Sequence, residues 1–232
     1  MKENKYSNKE IVHFSGGKDS TAMLLRMIEL GMKIDEIGFC DTGLEYTEQY
    51  EYIKKIEKHI GIKINYIRPD TTFFKWFYGK WTRGKMEGEI RGFPFVLTHG
   101  YCCRELKVKP SNKLYKEQGN HYLGIAYDER HRCSTLKNYK YPLVDWKWTE
   151  DKCAWYLKEK GLENPLYKRQ NRTGCWLCPK QSKESLHQLF DNHRNKWNAL
   201  KRLEKISPHG FHPNFKLIEL ENKWKYQTKL NT

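Results

Sequence analysis

The sequence predicts an α/β fold: a doubly wound, mostly parallel sheet with helices on both faces, followed by a small C-terminal helical, cysteine-containing appendage. Three observations carry this expectation. Short apolar runs alternate with stretches of helical period between Glu10 and Ile67 in the order βαβαβ, and such alternation requires parallel strands joined by crossover helices. A turn of small residues, Ser15-Gly16-Gly17-Lys18-Asp19-Ser20, separates the first strand from the first helix. Beyond residue 170 the strand signals stop, and a Cys-x-x-Cys turn and amphipathic helices take over. The expected division is therefore 1–170 for the α/β domain and 171–232 for the Cys-x-x-Cys and helical subdomain.

Glu10-Ile11-Val12-His13-Phe14 reads as a short buried strand, and Thr21 to Ile28 as an apolar helix that Gly31 stops. Ile34 to Cys40 is the second strand. It ends at Asp41-Thr42-Gly43, where Gly and Asp at a strand end suit a ligand loop. Glu48 to His59 sets Tyr52, Ile53, Ile56 and Ile60 at helical spacing, and Ile62 to Ile67 alternates as a third strand before Pro69. In sheets of this kind ligands sit beyond the carboxyl ends of the strands, and the glycine turn lies at one of those ends.

From Phe73 to Gly100 aromatic, glycine and basic residues mix without a period, among them Trp76, Phe77, Tyr78, Trp81, Arg83 and Arg91. The expectation is a mobile or substrate-facing loop with short helical pieces. Interleaved cations and rings can neutralise and stack on a single-stranded nucleic acid or a nucleotide; the plainer alternative is that the rings pack a cap against the sheet. His121 to Ala126 forms a fourth strand leading into Tyr127-Asp128-Glu129-Arg130-His131-Arg132, and Tyr141-Pro142-Leu143 a further short extended segment. Thr149 is an N-cap with Glu150 and Asp151 in the first turn, followed by Cys153, Tyr156, Leu157 and Leu162 on the helix it starts. Two amphipathic helices, near Lys183 to Asp191 and His193 to Ile206, finish the ordered part, with Trp197 and Trp224 as core anchors. Residues after Glu221 read as a frayed or docking tail. His187, His193, His209 and His212 have no regular ligand spacing and read as surface or capping residues.

A chain of 232 residues is long enough for one sizeable core without disulfides. No apolar run approaches the roughly 20 residues that span a bilayer, and Met1-Lys2-Glu3-Asn4-Lys5 leads into a polar stretch without a signal-type apolar segment. The expectation is a cytoplasmic protein with no membrane partner. The net charge of +15 and pI near 9.4 favour phosphate-rich partners, including tRNA or DNA, although lysines spread along a solvated surface would give the same excess.

Small residues in the Ser15 to Ser20 turn let backbone N–H groups approach phosphate oxygens, and the helix starting there adds its positive end. Lys18 brings a point charge and Ser15 and Ser20 bring hydroxyls, whereas Asp19 suits fixing the loop or holding Mg²⁺. The spacing between the glycines is not that of a Walker loop. Taken together, Ser-Gly-Gly-Lys-Asp-Ser resembles the signature of PP-loop ATP pyrophosphatases. Asp41-Thr42-Gly43-Leu44-Glu45-Tyr46, Gly124 to Arg130 with Arg132, Tyr141 to Trp146 with Thr149-Glu150, and Asn164-Pro165-Leu166-Tyr167 resemble, in order, the phosphoadenosine-phosphosulfate (PAPS) reductase branch of that superfamily. The resemblance implies an adenine nucleotide alpha-hydrolase-like, Rossmann-like fold. ATP with Mg²⁺ would have its phosphates on Ser15, Gly16, Gly17, Lys18, Asp19 and Ser20, and its adenosine at the strand ends near Phe39, Asp41, Gly43 and Gly124. Lys18, Asp19, Asp41, Arg104 and Arg132 would act at the reacting phosphate, with Lys107 as a further anion contact.

The seven cysteines, in a sequence without an export signal, argue against a disulfide framework. Cys102-Cys103 and Cys175-x-x-Cys178 supply four thiolates in two pairs, enough for a 4Fe-4S cluster or a structural Zn²⁺. Adjacent cysteines are awkward for one zinc, because neighbouring side chains must turn to the same ion. Cys40, Cys133 and Cys153 read as core or incidental residues. The two pairs, with Arg104 to Pro110 following the first, resemble the adenylyl-sulfate (APS) reductases, in which a tandem pair and a CxxC bind a 4Fe-4S cluster. One departure stands against reductase chemistry: those enzymes carry a nucleophilic cysteine in a C-terminal Glu-Cys-Gly-Leu-His type segment, and no cysteine follows Cys178 here, so that reaction would need its thiol from Cys133 or from a partner. The expected activity is accordingly cleavage of ATP at the α phosphate to adenylate an acceptor, for sulfur transfer to tRNA or DNA with a sulfur-donor protein as possible partner. Sulfonucleotide reduction and nucleotide binding without turnover are the alternatives.

Overall fold

A computed structural model describes residues 9–93, 101–116, 118–170 and 172–230. Expectations for the N-terminal lead and for the stretch 94–100 fall outside these residues.

Five parallel strands form one sheet in the order β3-β2-β1-β4-β5. They are β1 (Glu10–His13), β2 (Glu36–Cys40), β3 (Ile64–Ile67), β4 (Asn120–Leu123) and β5 (Tyr139–Lys140). Pairing of Val12 with Ile37 and of Ile37 with Ile64 lines these side chains along one face, because side chains alternate along a strand. That face is buried under α1 (Lys18–Glu29) and α2 (Thr47–Ile60). Ile11 and Ile67 turn to the opposite face, where Tyr115 packs over them. Tyr115 ends a helical run formed by α4 (Tyr101–Cys103), a π-helical turn (Arg104–Val108) and α5 (Lys109–Tyr115), all following α3 (Phe73–Phe77). Helices therefore cover both faces, as the βαβ pattern requires.

Beyond β5 come α6 (Pro142–Asp145), α7 (Glu150–Glu159), α8 (Lys183–Asn192), α9 (Arg194–Ile206) and α10 (Leu217–Leu230). The Thr149 hydroxyl accepts the Lys152 N–H at 3.3 Å, so the expected N-cap forms. Cys153, Tyr156 and Leu157 join the first core from α7.

A second core gathers Leu44, Tyr46, Phe73, Phe77, Phe93 and Leu106 with Leu177, Trp197, Phe211 and Trp224. The C-terminal helices thus pack on residues contributed by the loops that follow β2 and β3. None of the described helices is long and apolar enough to cross a membrane.

One local expectation is corrected and two open alternatives are decided. Tyr141-Pro142-Leu143 does not continue as extended chain, because Pro142 stands at the first helical position of α6, where its fixed φ and missing N–H suit a helix start. Of the two readings of the tail the docking one holds over the described residues: α10 runs to Leu230, Trp224 and Glu221 are buried, and the Trp197 indole donates to Glu221 at 2.8 Å. The aromatic segment after Phe73 holds ordered structure: its rings Phe73, Phe77 and Phe93 are core, and residues 79–91 fold back through a bridge between Lys80 and Ile90.

Candidate active site

The glycine loop follows β1 directly. Gly17 is the N-cap of α1 with extended backbone, and Gly16 has φ of 71°, a left-handed conformation that glycine adopts without strain. A Cβ at Gly16 would also stand 2.1 Å from the Gln49 amide nitrogen. That amide is structural: Gln49 donates to the Ser15 carbonyl at 2.9 Å, while Asn164 donates to the Gly16 carbonyl at 2.9 Å and to the Gln49 Oε1 at 2.8 Å. Both residues are 1% exposed. Two buried amides therefore tie down the loop carbonyls and leave its N–H groups turned to other partners.

Inside the loop the Ser15 and Ser20 hydroxyls are 2.8 Å apart, and Ser15 accepts the Gly17 N–H at 3.3 Å. The Lys18 N–H donates to the Tyr167 hydroxyl at 3.0 Å, and the Lys18 ammonium pairs with Glu150. Tyr167 and Glu150 thus occupy the N–H and the ammonium of Lys18. Gly124, just past β4, abuts this helix start: a Cβ there would be 2.6 Å from Ser20 Cα and 2.7 Å from its nitrogen. Only glycine fits so close to backbone.

Asp19 is the perturbed carboxyl of the site. Burial raises it to about 6, against the attraction of Lys18 and with repulsion from Glu150, Glu129 and Asp128 adding to the rise. Its Oδ1 is buried without a hydrogen-bond partner. The thiol of Cys153 lies against it, fully buried and pushed above its ordinary value by desolvation. Asp128 in turn accepts the Glu150 N–H at 3.3 Å, so four carboxyls surround the Lys18 end of the loop.

The other sequence-predicted residues fall into two groups. Phe39, Asp41 and Gly43 lie at the carboxyl end of β2. The Asp41 oxygens accept from Tyr50 at 2.7 Å, Arg68 at 3.0 Å and the Gly43 N–H at 3.0 Å, and Tyr50 and Arg68 hold its pKa down against burial. Arg132 sits on the 3₁₀ turn that carries Asp128 and Glu129, and pairs with Glu129. Arg104 pairs with Glu105 at 3.2 Å in the π-helical turn beside Cys103.

Folding brings the two cysteine pairs to the same neighbourhood. Cys102 and Cys103 perturb each other's ionisation, as do Cys175 and Cys178, and the charge of Cys178 is felt at Cys102. The neighbouring Cys102 thiol holds Cys103 below its usual value, helped by Lys107, Lys180 and Arg172; Cys175 does the same for Cys178, helped by Arg172. The two pairs therefore lie within electrostatic reach of each other. The Asp41 loop touches this centre directly: the Trp176 N–H donates to the Leu44 carbonyl at 3.1 Å, and Lys107 reaches the buried Glu45 carboxylate at 3.3 Å.

Sequence reasoning missed the roles of Gln49, Tyr167 and Glu150 at the loop. Gln49 had a readable signal, since it stands at helical spacing before Tyr52, Ile53 and Ile56, a polar residue on a buried face. Glu150 and Tyr167 reach the loop across more than a hundred residues, and nothing local announces that.

A parallel sheet with a backbone-tethered glycine loop at the head of its first helix is the arrangement of a PP-loop, adenine nucleotide alpha-hydrolase protein. The chain belongs to the phosphoadenosine phosphosulfate reductase domain family, which it matches over residues 9–181. It is 28% identical over 211 residues to an uncharacterized protein of Methanocaldococcus jannaschii, covering 83% of this chain and 41% of that protein. It is 30% identical over 116 residues to 5′-adenylylsulfate reductase 1, chloroplastic, of Arabidopsis thaliana, covering 48% of this chain and 22% of that one. The chain thus spans less than half the length of these relatives. A phosphoadenylyl-sulfate (PAPS) reductase from Candida auris in phosphate complex shares the fold with a TM-score of 0.54 at 15% identity, covering 75% of this chain and 84% of that one.

Proposed function

We propose that the protein binds ATP with its phosphates on residues 15–20 and cleaves it at the α phosphate to adenylate an acceptor, for sulfur transfer to a nucleic acid. The observation that carries this reading is the loop itself: N–H donors and a lysine at a helix start, backed by a buried amide pair, with the Asp19 carboxyl beside them. Such a site is suited to stabilising negative charge that develops on a departing pyrophosphate.

An acceptor oxygen attacks the α phosphorus, and the bond from that phosphorus to the bridging oxygen breaks. Pyrophosphate leaves on the loop, where Lys18 exchanges Glu150 for the phosphate oxygens. The acceptor then carries AMP, a good leaving group, which a sulfur nucleophile displaces. Asp19 is the residue suited to hold Mg²⁺, which would neutralise phosphate charge. Adenosine would lie along the carboxyl end of β2 at Phe39 and Gly43, with Asp41 fixing that loop through Tyr50 and Arg68. Gly124 would hold the close contact with the helix start.

The donor set of Cys102, Cys103, Cys175 and Cys178 fits a 4Fe-4S cluster better than one zinc. Adjacent cysteines such as Cys102 and Cys103 turn to one small ion with difficulty, and Lys107, Lys180 and Arg172 offset the charge of several thiolates. These four residues would hold the cluster, which when bound supplies a site able to carry sulfur. In this reading residues 1–170 are the nucleotide domain and 171–232 complete the thiol centre.

A sulfonucleotide reductase is the second reading, favoured by the family and by the plant reductase relative. It is the weaker one because no cysteine follows Cys178 in this sequence, and burial raises the thiol of Cys133, the remaining candidate nucleophile within the chain, above its ordinary value. Incubation with ATP labelled at the α phosphate and with pooled RNA distinguishes them. Label appearing as AMP or on the acceptor, with pyrophosphate released, supports adenylation. Sulfite released from APS or PAPS supports the reductase, and binding of ATP with no product indicates a sensor.

A further inference from the structure

Two basic features meet on the outer side of the second core. The first is the fold-back at residues 79–91, where the Arg91 N–H donates to the Gly79 carbonyl at 2.8 Å. It carries exposed Lys80, Arg83 and Lys85, and the Arg91 guanidinium lies 5.9 Å from the ring centroids of both Trp76 and Trp81. Trp81 is 38% exposed and Tyr78 52% exposed, so exposed rings and four cations share this short fold-back with two exposed carboxylates, Glu87 and Glu89.

The second feature is a groove of about 820 Å³ along α9 and the loop that follows it. Its acidic residue Glu204 is committed to the fold, accepting the N–H groups of Leu217 at 2.9 Å and Phe211 at 3.4 Å, and Lys201 is committed to Glu221. Arg202, Lys205 and Lys216 remain exposed along the groove. The two features touch: the Phe93 N–H donates to the Ser207 hydroxyl at 3.0 Å, a Cβ at Gly92 would stand 2.8 Å from Pro208, and Ser207 and Pro208 line the groove.

We propose that the fold-back at 79–91 and the α9 groove form one continuous docking surface for a single-stranded polynucleotide. The fold-back stacks bases on Trp81 and Tyr78, and the groove tracks the phosphates with Arg202, Lys205 and Lys216. This deepens the nucleic-acid acceptor reading above and rests on it. Charge complementarity selects the occupant: the chain carries a net +15, and a strand of regularly spaced phosphates releases counterions from each cation it meets. Rings interleaved with those cations add a stacking platform that bases use, and that an acidic protein or an anionic membrane does not require.

The test is fluorescence anisotropy of the full chain with a labelled unstructured RNA or DNA of about 20 nucleotides, long enough for one site of this kind. The variants are Arg202→Glu with Lys205→Glu, Arg83→Glu with Lys85→Glu, and Trp81→Ala. Each charge pair is expected to weaken binding at least tenfold. Each also lowers the slope of log affinity against log salt by about 1.4, at about 0.7 per phosphate contact. Trp81→Ala is expected to weaken binding to the oligonucleotide but not to heparin. ATP binding and the unfolding midpoint stay as in the wild type, which separates a lost surface from a lost fold.

Wild-type binding that the groove pair leaves unchanged overturns the joint surface while the nucleic-acid acceptor reading stands. Equal loss of heparin and oligonucleotide in Trp81→Ala, or equal affinity for phosphatidylserine vesicles, overturns the polynucleotide assignment. No oligonucleotide binding by the wild type overturns the surface and the acceptor reading together.

Discussion

Replacing Asp19 by Asn is expected to make the free protein more stable and its nucleotide site worse. Burial raises the Asp19 carboxyl from its ordinary 3.8 to about 6, and each tenfold change in proton affinity is worth about 1.4 kcal/mol. The rise therefore corresponds to about 3 kcal/mol of preference for the neutral form. The positive end of α1 works the other way, by about 0.3–1 kcal/mol for an acid in the first turn. Residual solvent contact screens the rest, leaving about 1–2 kcal/mol as the cost of the ionised group at pH 7.

Because the folded state holds this proton more tightly than the unfolded chain, the contribution is fully present below pH 4 and is lost as pH rises through about 6. Urea unfolding of wild type and variant at intervals from pH 4 to pH 7.5 isolates it, since the other carboxyls are common to both proteins. The stability difference should open in favour of Asp19→Asn by about 1–2 kcal/mol across that window, while the Mg²⁺-dependent part of ATP affinity falls. A difference that stays flat with pH, or an Asn variant less stable at pH 7, would refute the argument that a desolvated carboxyl sits at this loop.

Gly124→Ala pushes a methyl into the Ser20 backbone and should cost about 1–3 kcal/mol, with weaker ATP binding by titration calorimetry; unchanged affinity would mean the close approach is relaxed at no cost. Asn164→Ala strands the Gly16 carbonyl and the Gln49 amide and should cost about 1–3 kcal/mol. A double-mutant cycle with Gln49→Ala should give a coupling of about 0.5–3 kcal/mol, and additive losses would deny that the amides act as a pair. Trp224→Ala should cost about 3–5 kcal/mol in chemical denaturation because α10 is part of the second core; a loss below about 0.5 kcal/mol, as at a surface position, would restore the frayed tail.

The α/β half of the molecule was legible because its signals are local. Strand and helix periods around Ile11, Ile37, Tyr52 and Ile64 report a face, and the face decides the layer. The loop at Ser15 to Ser20 was equally plain, since few sequences put that run between a strand and a helix.

What escaped was set at long range. The helical run from Tyr101 to Tyr115 has no clean period because a π-helical turn interrupts it, and α10 lacks the strong amphipathic stripe of α9 although Trp224 anchors it in the core. The partners of Lys18 lie in α7 and in the turn before Arg169, so only the fold could name Glu150 and Tyr167. The cysteine pairs were readable as pairs, whereas their common neighbourhood with Lys107 and Arg172 depends on the Cys-x-x-Cys turn docking on Leu44.

The most direct test of the account is titration calorimetry of ATP with Mg²⁺ into the wild type and into Lys18→Ala, with far-UV circular dichroism confirming that both are folded. The account predicts binding to the wild type that is weakened at least tenfold in the variant, since Lys18 is the cation at the phosphate loop. Equal affinity in the two proteins would contradict it and place the nucleotide somewhere other than the Ser15 to Ser20 loop.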